Sequence, residues 1–222
     1  DSSVTGVQTC ALPIFMERNT MRLLDLTNQL LDFRKTEAQG FQLNFMICDI
    51  SQLIKDTYIR FDPAAKQNDL TFKIGLPEQN FNAAVDKEAL TKILSNLFNN
   101  AVKYAKSYIH VSLHAPTDEQ NDFFSITVSN DGLPIPVEMK EKIFEPFVQI
   151  KNVSNGQTKT GTGIGLPLAR SLTELHRGKL YLKDSDDICF CIELPIKQEK
   201  TILLQKTEIE KPVNTPTVIR QH

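Results

Sequence analysis

Asn96, Asn100 and Lys103 recur at spacings of four and three within DKEALTKILSNLFNNAVKYA, residues 86–105. At about 100° per residue, that spacing sets two amides and an ammonium along one stripe of a helix. Residues 90, 93, 94, 97, 98 and 101 of the same segment make an adjoining, mainly apolar face. The amide oxygen of Asn100 suits a hard cation such as Mg2+, which favours oxygen ligands and keeps its waters. Lys103 offers charge to a phosphate. The stripe has a plainer reading as a solvated surface, although the apolar face beside it calls for burial of most of the helix.

Two further stretches carry polar or conformationally special residues. In VSNDGLPIP (Val128–Pro136) an apparent strand ends in an Asn-Asp-Gly turn, which presents polar side chains at a sheet edge or is simply a common turn. In KTGTGIGLPLAR (Lys159–Arg170) glycines at 161, 163 and 165 open a helix. Closely spaced glycines let backbone N–H groups and a helix N-terminus cradle an anion. The familiar assignments fail here. A dinucleotide fingerprint needs G-x-G-x-x-G directly after a strand, and a Walker loop needs Gly-Lys-Ser/Thr at its end. This loop reads G-x-G-x-G after a long polar segment, and Leu-Pro follows Gly165. Pro167 falls in the first turn of the helix, where proline is tolerated.

The elements that must position these residues follow from periodicity. Leu23, Leu26, Leu30 and Phe33 recur at spacings of three, four and three in a helix from Met16 that Gly40 ends. That seam fits either an amphipathic helix packed on its own domain or one strand of an intermolecular bundle. A second helix is expected over Ile47–Lys66, a strand over Leu70–Leu76, and a helix capped by Asp86. SYIHVSLHA and DFFSITVSN read as strands joined by a polar turn. A short helix near Pro136–Phe144, the polar stretch VQIKNVSNGQTKT, the glycine-loop helix through His176, and a closing hairpin of GKLYLKD and DICFCIELP complete the order. After Pro195 the charged, proline-containing tail reads as linker.

With 222 residues, 41% hydrophobic and 23% charged, the composition is that of a globular protein long enough for one good core plus an appendage, or for two small domains. A net charge of -2 supplies no basic field for nucleic acid or acidic membranes, and no run approaches the ~20 apolar residues of a membrane span. Cys10, Cys48, Cys189 and Cys191 lack metal-like spacing and are expected as reduced, structural thiols of a cytosolic protein. Residues 4–14, VTGVQTCALPI, match one reading frame of a common short-read sequencing adapter. Residues 1–15 are therefore hypothesised to be non-native. Resequencing the locus tests this, and recovery of the stretch from native DNA would sink it.

In this order, NLFNNAVKY (Leu97 at its second position), VSNDGLPIP, IFEPF (Ile143–Phe147) and GTGIGL resemble the N, first glycine, F and second glycine boxes of sensor histidine kinases. The resemblance covers about residues 45–196. It implies an α+β two-layer sandwich of the Bergerat type, a mixed sheet with helices on one face, shared with gyrase, mismatch-repair and heat-shock chaperone ATPases. RLLDLTNQLLDFRKTE resembles the second helix of the dimerisation and phosphotransfer domain of hybrid sensors, which implies a homodimer through residues 16–40. Residues 197–222 would then be a linker to a receiver domain or response regulator. The fragment is expected to be cytoplasmic, and its parent an inner-membrane sensor.

Carried over by position, the resemblance implies ATP and Mg2+ as ligands. Asn100 would hold Mg2+ and Asn96 would orient the triphosphate. Lys103 would contact phosphate, and Tyr104 would pack near adenine and ribose. Asn130 and Gly132 would form the adenine site. Gly161, Gly163, Gly165 and Leu166 would wrap the phosphates below a lid at ~148–160 that includes Lys159.

Three departures stand out. Asn130 occupies the position of the usual aspartate, keeping a carbonyl acceptor without the charge, with Asp131 as a rival contact. Pro134 replaces a glycine, and SDDICF lacks the usual Gly-Thr pair. Asn96 stands where ATP-hydrolysing relatives place a glutamate. An amide is no general base, which favours phosphoryl transfer to a protein over hydrolysis. His110, His114, His176 and His222 do not fit the acceptor motif, so self-phosphorylation of this fragment is not expected. A degenerate dimer scaffold and an anti-sigma-type serine kinase are the competing readings.

Overall fold

The computed structural model describes residues 5–37, 42–116, 122–150 and 161–198. Asp49, the last residue of one short strand, and Asp86, the residue just after another, each cap the start of a helix. The Gln52 N–H donates to Asp49 and the Ala89 N–H to Asp86, both at 2.9 Å. Such a cap satisfies a helix-end donor that has no partner within the helix. The two strands, β1 (Met46–Asp49) and β3 (Asn82–Val85), pair antiparallel with Ile47 opposite Ala84. Residues 47–49, expected as helix, are therefore strand: they take backbone partners from β3, and the Asp49 cap sets the start of the following helix at Ile50.

Helix α1 spans Thr5–Glu37, beginning upstream of the Met16 at which the apolar pattern starts. After β1 come α2 (Ile50–Gln67), β2 (Thr71–Gly75), β3, α3 (Lys87–Tyr104), β4 (Tyr108–His114) and β5 (Phe123–Asn130). The expected short helix is two 3-10 turns, Val137–Met139 and Lys142–Phe144. Helix α4 (Gly165–Leu175) and the hairpin β6 (Lys179–Lys183) and β7 (Ile188–Pro195) close the order.

The main sheet runs β2-β4-β5-β7-β6, parallel between β2 and β4 and antiparallel elsewhere. Helices α2, α3 and α4 cover one face, giving the two-layer α+β sandwich. Alternation decides which residues face them: Ile109, Val111 and Leu113, then Phe124, Ile126 and Val128, then Phe190, Ile192 and Leu194 are buried. They meet Leu90, Ile93, Leu94, Leu97 and Phe98 of α3. Full burial of a ring such as Phe98 contributes roughly 3 kcal/mol relative to exposure. Tyr58 and Phe98 set their rings edge-on to Phe72 at 4.9 and 5.4 Å. His110 and His114 lie exposed on the opposite face.

Helix α1 packs against α4. Of its four seam residues, Phe33 is buried in the core of this chain, while Leu23 and Leu30 are exposed. Asp32 reaches Lys92 of α3 at 2.8 Å. No described helix is long and apolar enough to cross a membrane. Cys48, Cys189 and Cys191 are free thiols. His176, at the end of α4, is fully buried. Its Nδ1–H donates to the Leu172 carbonyl (2.7 Å), and its Nε2 accepts from the Asp86 N–H (3.2 Å).

Candidate nucleotide site

The glycine loop runs along the polar stripe of α3. A Cβ built on Gly165, the first residue of α4, would lie 3.1 Å from Asn96 Oδ1, and one on Gly161 would lie 2.9 Å from Lys103 Nζ. Asn96, Asn100 and Lys103 are each half-buried, so the stripe lies between core and solvent. Glycines bring backbone this close to the amide and ammonium because they have no side chain to intervene. The N-cap of α4, Ile164, makes no side-chain hydrogen bond, and Thr162 Oγ1 accepts from the Ile164 N–H at 3.2 Å. Pro167 has no N–H, so the start of α4 offers its dipole and the N–H groups of Gly165 and Leu166, an arrangement that favours anions. Leu166, half-buried in that turn, packs against the core.

A second segment braces the loop. The Phe147 N–H donates to the Gly163 carbonyl at 2.8 Å, and Gln149 Nε2 donates to the Gly161 carbonyl at 2.8 Å. Gly163 and Phe147 both have left-handed backbone, φ +71° and +66°. Upstream, Ile143 and Phe144 are buried, and the Arg170 guanidinium of α4 lies 4.7 Å from the Phe144 ring centre and 3.0 Å from Glu141. From the other side, Thr162 Oγ1 meets Gln29 of α1 at 3.3 Å.

At the far end, Asn130 continues the inward face of β5 and is 2% exposed. Its Nδ2 is buried with no hydrogen-bond partner among the described residues. A Cβ on Gly132 would lie 2.7 Å from that Nδ2 and 2.7 Å from the Tyr104 carbonyl oxygen, so only glycine fits there. Tyr104 itself is partly exposed, with Lys103 Nζ 4.7 Å from its ring centre.

Asp131, the rival base contact, is engaged elsewhere. Its carboxylate accepts from the backbone N–H groups of Lys106 (3.0 Å), Ser107 (3.0 Å) and Tyr108 (3.2 Å) and from the Ser107 hydroxyl (2.5 Å). Burial alone would raise its pKa, but these donors outweigh it and hold the carboxyl well below the usual range. Asp187, in the stretch lacking the Gly-Thr pair, accepts from the Tyr108 hydroxyl, which pushes that phenol up to about 12.

The structure thus brings Asn96, Lys103, Gly161 and Gly165 together, and Asn130 with Gly132 and Tyr104 at one end. Lys159 and residues 151–160 of the expected lid lie outside the described residues. Sequence reasoning missed the Phe147–Gly163 clasp, the Asp131 clamp and the Gln29–Thr162 contact. Of these, only the first left a trace, in the place of IFEPF as the last motif before the glycine loop. Among the described residues no group of three or more His, Cys, Asp or Glu is placed to hold a metal. The Asn100 amide supplies a single neutral oxygen. That fits Mg2+ held mainly by phosphate and water, and does not fit a cage of protein carboxylates.

Residues 85–198 match the family of histidine kinase-, DNA gyrase B- and HSP90-like ATPases, and the chain belongs to it. Within that family it carries a histidine-kinase type of ATP-binding domain. It is 32% identical over 209 residues to the sensor histidine kinase TmoS of Ectopseudomonas mendocina, covering 91% of this chain and 21% of that protein. It is 31% identical to histidine kinase P4 of Formosa agariphila, covering 82% and 14%. The chain thus spans about a fifth or less of these relatives. Among solved structures, full-length ShkA in complex with AMPPNP superposes with a TM-score of 0.74 at 21% identity, covering 89% of this chain and 41% of that one. The kinase AdeS of Acinetobacter baumannii gives 0.69 at 18%, covering 84% of each. The kinase ThkA in complex with the response regulator TrrA gives 0.65 at 21%, covering 88% and 53%.

Proposed function

We propose that this chain is the catalytic part of a sensor histidine kinase, giving the γ-phosphoryl of ATP to a histidine on a dimerisation helix. The observation that carries the reading is the apposition of the α3 stripe and the glycine loop, Asn96 against Gly165 and Lys103 against Gly161. A triphosphate lying along that seam meets loop N–H groups, the α4 N-terminus and one ammonium. Asn96 orients the phosphate chain, Lys103 offsets its charge, and Tyr104, Asn130 and Gly132 form the base end. Lys159 is proposed to reach the phosphates from the lid, and Leu166 to line their site. Asn100 would hold Mg2+, which would neutralise phosphate charge.

No base for activating water stands at position 96, so the arrangement supports transfer to a protein acceptor. The exposed Leu23, Leu24, Leu30 and Leu31 of α1 support pairing with a second copy, residues 16–40 forming the dimerisation helix. A receiver domain or response regulator is the expected next acceptor. The absence of a basic field argues against a nucleic-acid partner. We place residues 45–196 in the cytoplasm, as part of an inner-membrane parent.

Titration of the chain with the non-hydrolysable analogue AMPPNP, with and without Mg2+ and beside Asn100→Ala, tests the site. Magnesium-dependent binding that the substitution abolishes is expected. Failure of the folded chain to bind overturns the reading. Phosphotransfer to a separately supplied acceptor-helix domain tests the kinase step.

A further inference from the structure

Asn130 Nδ2 is the one buried side-chain polar atom without a hydrogen-bond partner among the described residues. Native interiors rarely leave such a donor alone, and the exceptions point to a ligand or a function. Here the amide closes the inward face of β5, in register with Ile109 on one side and Ile188 on the other. Neither neighbour offers it a side-chain acceptor. The absence of a Cβ at Gly132 keeps space open beside the nitrogen. The adjacent carboxylate, Asp131, is committed to the N–H groups of residues 106–108 and does not compete for a base.

A carboxylate at this position would present acceptors only, whereas an amide presents an acceptor and a donor in one plane. A 6-aminopurine shows an N6–H donor beside the N1 acceptor. A 6-oxopurine shows the O6 acceptor beside the N1–H donor. A half-turn about the last side-chain bond lets one amide answer either edge. A carboxylate satisfies the 6-amino group and repels O6. Resting on the nucleotide-site reading above, we infer that Asn130 is the base selector of this chain and that the site accepts 6-oxopurine as well as 6-aminopurine nucleoside triphosphates.

The test is calorimetric titration of the chain with AMPPNP and with GMPPNP in Mg2+, for the native protein and Asn130→Asp. The native affinities are expected to lie within about tenfold of each other, and Asn130→Asp to widen the ratio at least about tenfold in favour of AMPPNP. Native preference for AMPPNP beyond about a hundredfold overturns the inference while leaving the nucleotide site intact. So does a ratio that Asn130→Asp leaves unchanged. The native ratio decides alone if the variant does not fold. Binding of neither analogue to folded protein overturns the nucleotide-site reading, and this inference with it.

Discussion

Gly163 and Phe147 hold each other in left-handed backbone: φ is +71° and +66°, and the Phe147 N–H donates to the Gly163 carbonyl. A Cβ on Gly163 would come within 2.7 Å of Phe147 Cα, an atom of the main chain that cannot swing aside. Gly163→Ala therefore meets a clash as well as a left-handed backbone that disfavours alanine by roughly 1–2 kcal/mol. Lower thermal stability and at least about tenfold weaker AMPPNP binding are expected, since the loop backbone is the proposed phosphate cradle. Phe147→Gly keeps the same turn without the strain, and its melting point should fall less. Equal melting points for Gly163→Ala and the native chain would refute the clasp.

Asp131 makes the α3–β4 turn sensitive to acid. Its folded pKa is depressed, so its contribution is present above the unfolded carboxyl pKa near 4 and is lost as pH falls through the folded value. Asp131→Ala should lose roughly 2 kcal/mol at neutral pH, because several backbone donors lose a charged acceptor. Urea unfolding of both proteins from pH 7 to 3 checks this: the gap should narrow towards the acid end. A gap independent of pH would show that the carboxylate charge contributes nothing.

His176 acts in the same direction but at milder pH. Burial lowers its pKa, although the charge of Asp86 pulls the other way. Its Nε2 already accepts from the Asp86 N–H, so a proton there would displace that bond. The unfolded chain binds the proton more readily, so stability should decline as pH falls below about 6.5 and continue to decline down to the folded value. Thermal melts between pH 8 and 5 measure the decline. Replacement by phenylalanine should lower stability throughout and remove the part of the slope that begins near 6.5. A slope that survives that substitution would assign it to other groups.

Phe33 should matter more than the ion pair beside it. Partly exposed pairs such as Asp32–Lys92 contribute roughly 0.5 kcal/mol, whereas emptying the seat of a buried phenylalanine costs about 3. Hydrogen exchange should show α1 amides losing protection in Phe33→Ala, while α3 amides exchange as before. Lys92→Ala should change α1 only slightly. The reverse ranking would mean that charge docks the helix.

Much of this could be read from residue order because it is repeated locally. The α3 stripe, the inward alternation of β4, β5 and β7, and the closing hairpin each recur over several residues of one element. What escaped depends on partners distant in sequence. The four residues of β3 carry no period of their own and become a strand only through β1, just as Ile47–Asp49 cease to be helix by pairing with it. Asn130 and Asp131 were interchangeable as polar turn residues until β5 turned one inward and the other towards residues 106–108. The left-handed φ of Phe147 has no signature in a side chain that usually avoids it.

Gln29, Asp32, Phe33 and Thr36 fall three, four and seven positions apart, on a single side of α1. That side touches Thr162 of the glycine loop, Lys92 of α3 and the core. Contacts arranged this way have a common axis. Turning the helix by one residue's worth of twist, about 100°, detaches all of them together. Bending its first turns detaches none. The seating of α1 beside the glycine loop therefore depends on the helix's rotation about its own axis as well as on its position.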